Sequence, residues 1–297
     1  MRTIAICNLK GGVAKTTTAI NTAAILAAQR AQNVLVVDAD SQCNCTEFLQ
    51  RDKLHPRTLS DVLRYTGADA GAYALDAIEH SRYAGIDILC ADDSLMDLDL
   101  SKVEAGSASA SCLRELAAHM AAQPGGRPYS YDWMIIDCPP AFNAASAAAL
   151  VAAEEVVIPI KLDAFSLRGM ANIMQQIRNM QRINPKLRVA GILPTMWYRS
   201  DNIVRAEREL RASGLPVFPR IRRTPKADDM TFEQEPLIVC SPKSAAAIDY
   251  RRFVDLLANP LPQGTRPCAA VAAAYGGSPL DKGAKNPAEA EILKGAC

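Results

Sequence analysis

The sequence predicts an α/β protein built on a doubly wound, mostly parallel sheet with helices on both faces. Short β-branched apolar runs alternate with longer Ala- and Leu-rich segments over most of its 297 residues. Runs such as Val34-Leu35-Val36-Val37 are apolar without a break, as suits strands buried on both faces. A glycine-rich turn joins the first apolar run to the first long helical segment, the order expected of a βαβ unit.

Strands are expected at residues 3–9, 33–38, 86–91, 133–137, 155–160, 189–194 and 216–221. Helices are expected over 16–32, 110–122, 167–182, 202–212 and 243–257. In such sheets ligands bind beyond the carboxyl ends of the strands, so the residues just past each strand carry most of the functional information. From residue 259 onward the texture changes: 259–297 hold five Pro and five Gly in 39 residues, the composition of a low-complexity segment. The expected organisation is therefore a domain over 1–258 and a loosely docked tail over 259–297.

Composition narrows the class. With 49% hydrophobic and 22% charged residues the chain can bury a large core, which argues against disorder. Its formal net charge of +1 excludes a polyelectrolyte, so nucleic-acid binding would have to come from a local patch. No apolar run approaches the roughly 18 residues of a membrane span, and Lys10 arrives too early for a signal-peptide core. Nine scattered cysteines, including the Cys43-x-Cys45 pair, read as reduced thiols rather than a disulfide framework or metal site. A cytoplasmic protein is expected.

The strongest motif is Lys10-Gly11-Gly12-Val13-Ala14-Lys15-Thr16-Thr17, between the first strand and the first helix. Backbone N–H groups of a tight loop, with the helix N-terminus, form a concave site for the phosphates of a nucleotide. Glycines let the backbone approach phosphate oxygens. In this pattern Lys15 serves the β- and γ-phosphates and Thr16 ligates Mg2+. Ala14 departs from the pattern, which has Gly before the lysine. Acidic strand ends support the loop: Asp38 and Asp40 close the second strand and Asp137 closes the fourth. Phosphoryl transfer needs one carboxylate for Mg2+ or its water shell and another for the attacking water.

Three separated blocks together resemble the ParA/MinD group of deviant-Walker ATPases, and within it the ParA partition ATPases. They are Lys10 opening the loop, Asp38-Ala39-Asp40-Ser41-Gln42-Cys43-Asn44-Cys45-Thr46, and Tyr131-Asp132-Trp133 through Asp137-Cys138-Pro139-Pro140. The resemblance covers residues 1–258. It implies that Lys10 reaches across an ATP-bridged homodimer to the partner's nucleotide, and that Lys15 and Thr16 are the phosphate lysine and magnesium ligand. It also implies Thr17 near the α-phosphate, Asp40 beside the hydrolytic water and the metal, and Asp137 on the magnesium side. Ser41 stands where the family has Pro. Cys138, which invites comparison with iron–sulfur relatives, fits the ParA block as a packing thiol.

Charge is segregated along the chain. Residues 199–226 carry eight bases (Arg199, Arg205, Arg208, Arg211, Arg220, Arg222, Arg223, Lys226) against Asp201, Glu207 and Glu209, an excess of +5. Arginines on the 202–212 helix also read as a solvated face paired at helical spacing. Arg199, Arg222, Arg223 and Lys226 are the DNA-binding candidates, with Arg199, Arg223 and Lys226 expected in loops after strands. They resemble positions that ParA proteins use for sequence-independent binding of double-stranded DNA, a phosphate-directed and salt-sensitive mode. The resemblance further implies ATP and Mg2+ as cofactors, a ParB-like partner that stimulates slow hydrolysis, and association with the nucleoid. No N-terminal helix-turn-helix is expected, and the tail lacks a basic amphipathic helix, so stable membrane association is not expected. The alternatives are a MinD-like membrane-positioning ATPase and a metabolic P-loop ligase.

Overall fold

A computed structural model of the protein describes residues 1–51, 57–67, 69–101, 108–121 and 130–259. Its seven-stranded sheet runs β3-β4-β2-β5-β1-β6-β7. The strands are β1 (Arg2–Ile6), β2 (Val34–Asp38), β3 (Ile78–His80), β4 (Ile86–Leu89), β5 (Trp133–Asp137), β6 (Glu155–Lys161) and β7 (Arg188–Thr195). All pairings are parallel except β3 with β4. The expected doubly wound α/β architecture is the one observed.

Side chains of successive strand residues go to opposite faces, and both faces are buried. Ile4 and Ile6, Val34 and Val36, and Ile135 enter one core. Ala5 and Cys7, Leu35 and Val37, and Met134 and Ile136 enter the other. This explains why the strands read as unbroken apolar runs. Over the first face lie α1 (Lys15–Arg30), α2 (Asn44–Leu49), α9 (Lys226–Glu233), α10 (Leu237–Cys240) and α11 (Ala245–Ala258). The second face carries α3 (Leu59–Arg64), α4 (Ala70–Leu75), α5 (Ala108–Ala121), α6 (Ala144–Ala152), α7 (Ala164–Met180) and α8 (Asp201–Ala212).

Sequence and structure agree within two to three residues on six of the seven expected strands and on all five expected helices. The exception is 216–221, which forms isolated bridges rather than a strand. The segment still lies along β7: Ile192 N–H donates to the Pro216 carbonyl at 2.8 Å, Phe218 N–H to Ile192 at 2.8 Å and Ile221 N–H to Pro194 at 2.7 Å. Pro219 has no N–H, and a proline confines such a segment to an irregular edge. Gly191 on β7 makes room for it, because a Cβ there would come within 2.6 Å of the Phe218 ring.

The last described helix, α11, ends at Ala258. Asn259 is the last described residue, and the rest of the expected tail, 260–297, lies outside the described residues. Among the described residues no helix is long and apolar enough to cross a membrane.

Candidate functional site

Parallel register brings the chemistry to one edge of the sheet. Ile6 pairs with Asp137, and Asp137 pairs with Asp38, so the ends of β1, β5 and β2 are level. Residues 7–14 leave β1 directly above these acids and curl into α1. Gly12 has φ +67°, and nothing lies within 4 Å of where its Cβ would be. The loop is tied down on several sides: Asn8 Nδ2 donates to the Pro159 carbonyl at 2.7 Å, Lys10 N–H to Asn8 Oδ1 at 3.0 Å, and Thr195 Oγ1 to the Val13 carbonyl at 3.1 Å. Lys15, 7% exposed, lays its Nζ 3.1 Å from the Lys10 carbonyl, across the mouth of the loop.

Ala14 resolves its departure from the glycine pattern in a specific way. It adopts the left-handed conformation itself, at φ 64° and ψ 37°. The backbone keeps the shape a glycine would give it, and its carbonyl accepts the N–H and hydroxyl of Thr18 at 3.0 and 2.6 Å. An L-residue in this region is strained by roughly 1–2 kcal/mol. Glycine relieves that strain but loses more backbone entropy on folding.

The two buried acids differ sharply. Asp38 is enclosed, yet it accepts from the Thr46 N–H and hydroxyl, both at 2.8 Å, and from the Asp40 N–H at 3.1 Å. Burial pushes its pKa up to about 6, and those hydrogen bonds hold it back from going higher. Asp137 is also enclosed; neither of its carboxylate oxygens makes a hydrogen bond of normal geometry among the described residues, and the Thr16 hydroxyl is the side-chain donor that comes near them. Burial, then the Asp38 charge, raises its pKa well above the carboxylate range, with the Thr16 hydroxyl and the Lys15 ammonium opposing from nearby. Buried polar groups are normally satisfied, and an orphaned carboxylate marks a place for a cation. The residues present therefore fit a magnesium ion.

Asp40 is 8% exposed and accepts the Gln42 N–H at 3.1 Å, while its carbonyl accepts the Cys43 N–H at 2.9 Å. Ser41 in place of proline therefore leaves the turn closed. From here Thr46, bonded to Asp38, links the turn to α2. A cavity of about 270 Å3 opens beside Thr16, Thr17 and Ile20, with Glu47 and Phe48 of α2 and Met230 of α9 on its far side. Lys10 Nζ meets both oxygens of Asp163 at 2.9 and 2.7 Å.

The basic segment divides into paired and unpaired residues. Arg222 clamps Asp249 of α11, with Nε and Nη2 at 2.7 and 2.9 Å and its own N–H at 3.0 Å. Lys226 opens α9 instead of lying in a loop, and meets Asp229 at 2.6 Å. Arg205 pairs with Glu209, while Arg211 and Arg220 share the buried Glu207. Arg199 and Arg223 are exposed and have no ion-pair partner among the described residues. Hydrogen bonds from Trp197 N–H to Ile221 and from Arg223 N–H to Trp197 bring their two segments side by side.

Sequence reasoning brought Lys10 through Thr17, Asp40 and Asp137 to this edge, and the structure assembles them there. It missed Asp163, whose only signal was a carboxylate just past a strand, and the anchoring role of Asp38 through Thr46. It also missed Asp249 beneath Arg222. Among the described residues no cluster of His, Cys, Asp and Glu suits a metal by itself, and the described cysteines are free thiols.

A glycine-containing loop opening a helix over buried strand-end acids, on a doubly wound parallel sheet, defines a P-loop nucleotide-binding protein. Residues 1–189 match a family model described as an AAA domain, AAA_31. The chain is 36% identical over 205 residues to the chromosome partitioning protein ParA of Caulobacter vibrioides, covering 68% of this chain and 72% of that one. It is 32% identical to the chromosome-partitioning ATPase Soj of Thermus thermophilus, covering 86% and 94%. Its fold is similar to cobyrinic acid a,c-diamide synthase from Mycobacterium smegmatis, solved with an ATP analogue and magnesium, at TM-score 0.71 and 28% identity over 90% of this chain and 98% of that one. The chain belongs to the ParA family of partition ATPases.

Two stability predictions follow from this geometry. Ala14→Gly raises stability by about 0.5–1 kcal/mol, read by chemical denaturation of the nucleotide-free protein; a loss of stability contradicts the strain at Ala14. Asp137→Asn raises the melting temperature of the nucleotide-free protein at pH 7 by about 2–6 °C. The sign follows from the raised acid pKa: the folded state holds its proton more tightly, so the penalty is small near pH 4 and grows as pH rises toward the folded value. Calorimetry at both pH values checks it, and a gain no larger at pH 7 than at pH 4 contradicts it.

Proposed function

We propose that this protein is an ATP-dependent DNA partition ATPase that works as an ATP-gated homodimer on non-specific double-stranded DNA. The observation that carries the catalytic part is Asp137, a buried carboxylate without a hydrogen bond of normal geometry among the described residues, beside Thr16 and Lys15. In this reading Mg2+ is held by Thr16 and Asp137, with Asp40 on the same side, and supplies charge neutralisation for the phosphates. The N–H groups of Gly11, Gly12, Val13 and Ala14 and the start of α1 receive the phosphates of ATP. Lys15 neutralises the β- and γ-phosphates, and Thr17 lies at the α-phosphate. Asp40, held in its turn by Gln42 and Cys43, orients the attacking water. Lys10 serves the nucleotide of the second protomer.

DNA binding rests on Arg199 and Arg223, whose side chains are exposed and whose segments adjoin. Arg222 and Lys226 join them only by giving up Asp249 and Asp229. A two-fold dimer doubles this patch, so phosphate contacts too weak singly become effective together. A ParB-like partner stimulates hydrolysis and returns the protein to the monomer, with the cycle taking place on the nucleoid in the cytoplasm. The names of the Caulobacter and Thermus relatives support the partition reading. The metabolic-ligase reading has the Mycobacterium synthase as its support; it requires ATP consumption only with a small substrate.

The test measures binding of non-specific duplex DNA at moderate salt with ATP and with ADP. The expected result is at least ten-fold tighter binding with ATP, and equal affinity in both states overturns the gated-dimer reading. Arg223→Glu is expected to weaken DNA binding and flatten its dependence on salt while nucleotide affinity is unchanged. Asp40→Ala is expected to bind ATP and accumulate the DNA-bound state; normal hydrolysis by this variant contradicts the water-orienting role.

A further inference from the structure

Lys10 is the residue on which the proposed dimer turns, and within one protomer its side chain is already engaged. Its Nζ donates to Asp163 Oδ1 at 2.9 Å and Oδ2 at 2.7 Å. Asp163 stands two residues beyond β6, and β6 is the neighbour of β1, so the pair spans the outlets of adjacent strands. The main chain of Lys10 is held separately, by Asn8 Oδ1 on its N–H and Lys15 Nζ on its carbonyl. The loop therefore fixes the backbone, and the adjustable part of Lys10 is the side chain resting on Asp163. Both side chains reach solvent, at 37% and 31% exposure, so the pair can open without unfolding the core around it.

We propose that Asp163 is a positioning residue for Lys10: it keeps the ammonium within its own protomer until the nucleotide of a second copy takes it over. This rests on the dimer reading above. An ammonium held by both oxygens of one carboxylate must leave it to reach a phosphate on another protomer, and each two-fold dimer requires two such exchanges. The Lys10–Asp163 pair therefore stabilises the monomer relative to the ATP-bound dimer. Once hydrolysis has removed the γ-phosphate, recapture of Lys10 by Asp163 favours separation. Each partly exposed pair shifts an equilibrium by up to about five-fold, so two of them together change the dimerisation constant by up to about twenty-five-fold.

The test is sedimentation equilibrium of the full chain with Mg2+ and a non-hydrolysable ATP analogue, comparing wild type, Asp163→Asn and Asp163→Glu. Asp163→Asn is expected to dimerise about three- to twenty-five-fold more tightly, with the gap narrowing at high salt. Asp163→Glu is expected to stay near wild type, and ADP affinity of the monomer is expected to be unchanged in all three. Should Asp163→Asn lose its fold, Asp163→Ser makes the same comparison. Dimerisation by the neutral variant that is equal to or weaker than that of a dimerising wild type overturns the role of Asp163 alone. A wild type that binds the analogue and remains monomeric overturns the dimer reading and this one with it.

Discussion

The ends of β1, β2 and β5 deliver two carboxylates, Asp38 and Asp137, into a region water does not reach, with the buried ammonium of Lys15 close by. Negative charge in so dry a place is costly unless it is hydrogen-bonded or faces a cation. The surrounding structure is arranged around that cost. Asp38 is offset by Thr46 and the Asp40 N–H, and in being offset it fixes the turn that presents Asp40 and the start of α2. Asp137 has only the Thr16 hydroxyl and the Lys15 ammonium nearby to set against its burial, and its oxygens, which make no hydrogen bond of normal geometry among the described residues, are what a bound Mg2+ would satisfy.

The loop above these acids is strained and braced at once. Ala14 is held in a left-handed conformation while Thr18, Thr195 and Asn8 tie neighbouring groups in place. Braced loops of this kind present fixed N–H groups without reorganisation when an anion arrives. The basic surface follows the opposite logic. Most of its cations are committed to carboxylates, with Glu207 holding two arginines and Asp249 holding Arg222. The exposed arginines left without an ion-pair partner among the described residues form a small set, which suits the release of DNA that the proposed cycle requires.

Much of the fold was legible because buried parallel strands leave unbroken apolar runs, and Trp133–Asp137 was recovered to the residue. The short elements were not. α2 has six residues, too few for a helical period to emerge, and α6 reads as a stretch of Ala that is apolar all round because it is buried all round. The P-loop and its acids were legible because their chemistry demands fixed residue types at fixed spacing. Pairings between distant residues were not: Lys10 with Asp163 and Arg222 with Asp249 are 153 and 27 residues apart, and nothing local marks them. Charge counting identified the basic segment, whereas only the structure separates its committed cations from its free ones.

In the proposed function the buried acid beneath the loop becomes a magnesium site once nucleotide is bound. Its most direct measurement is the melting temperature of the protein with a non-hydrolysable ATP analogue, once with Mg2+ and once with a chelator. A ligand bound by the folded state alone raises stability in proportion to the logarithm of its saturation. The expected rise is clearly larger with Mg2+ than without it, because the cation would satisfy Asp137 as well as the phosphates. An equal rise in both conditions would contradict it.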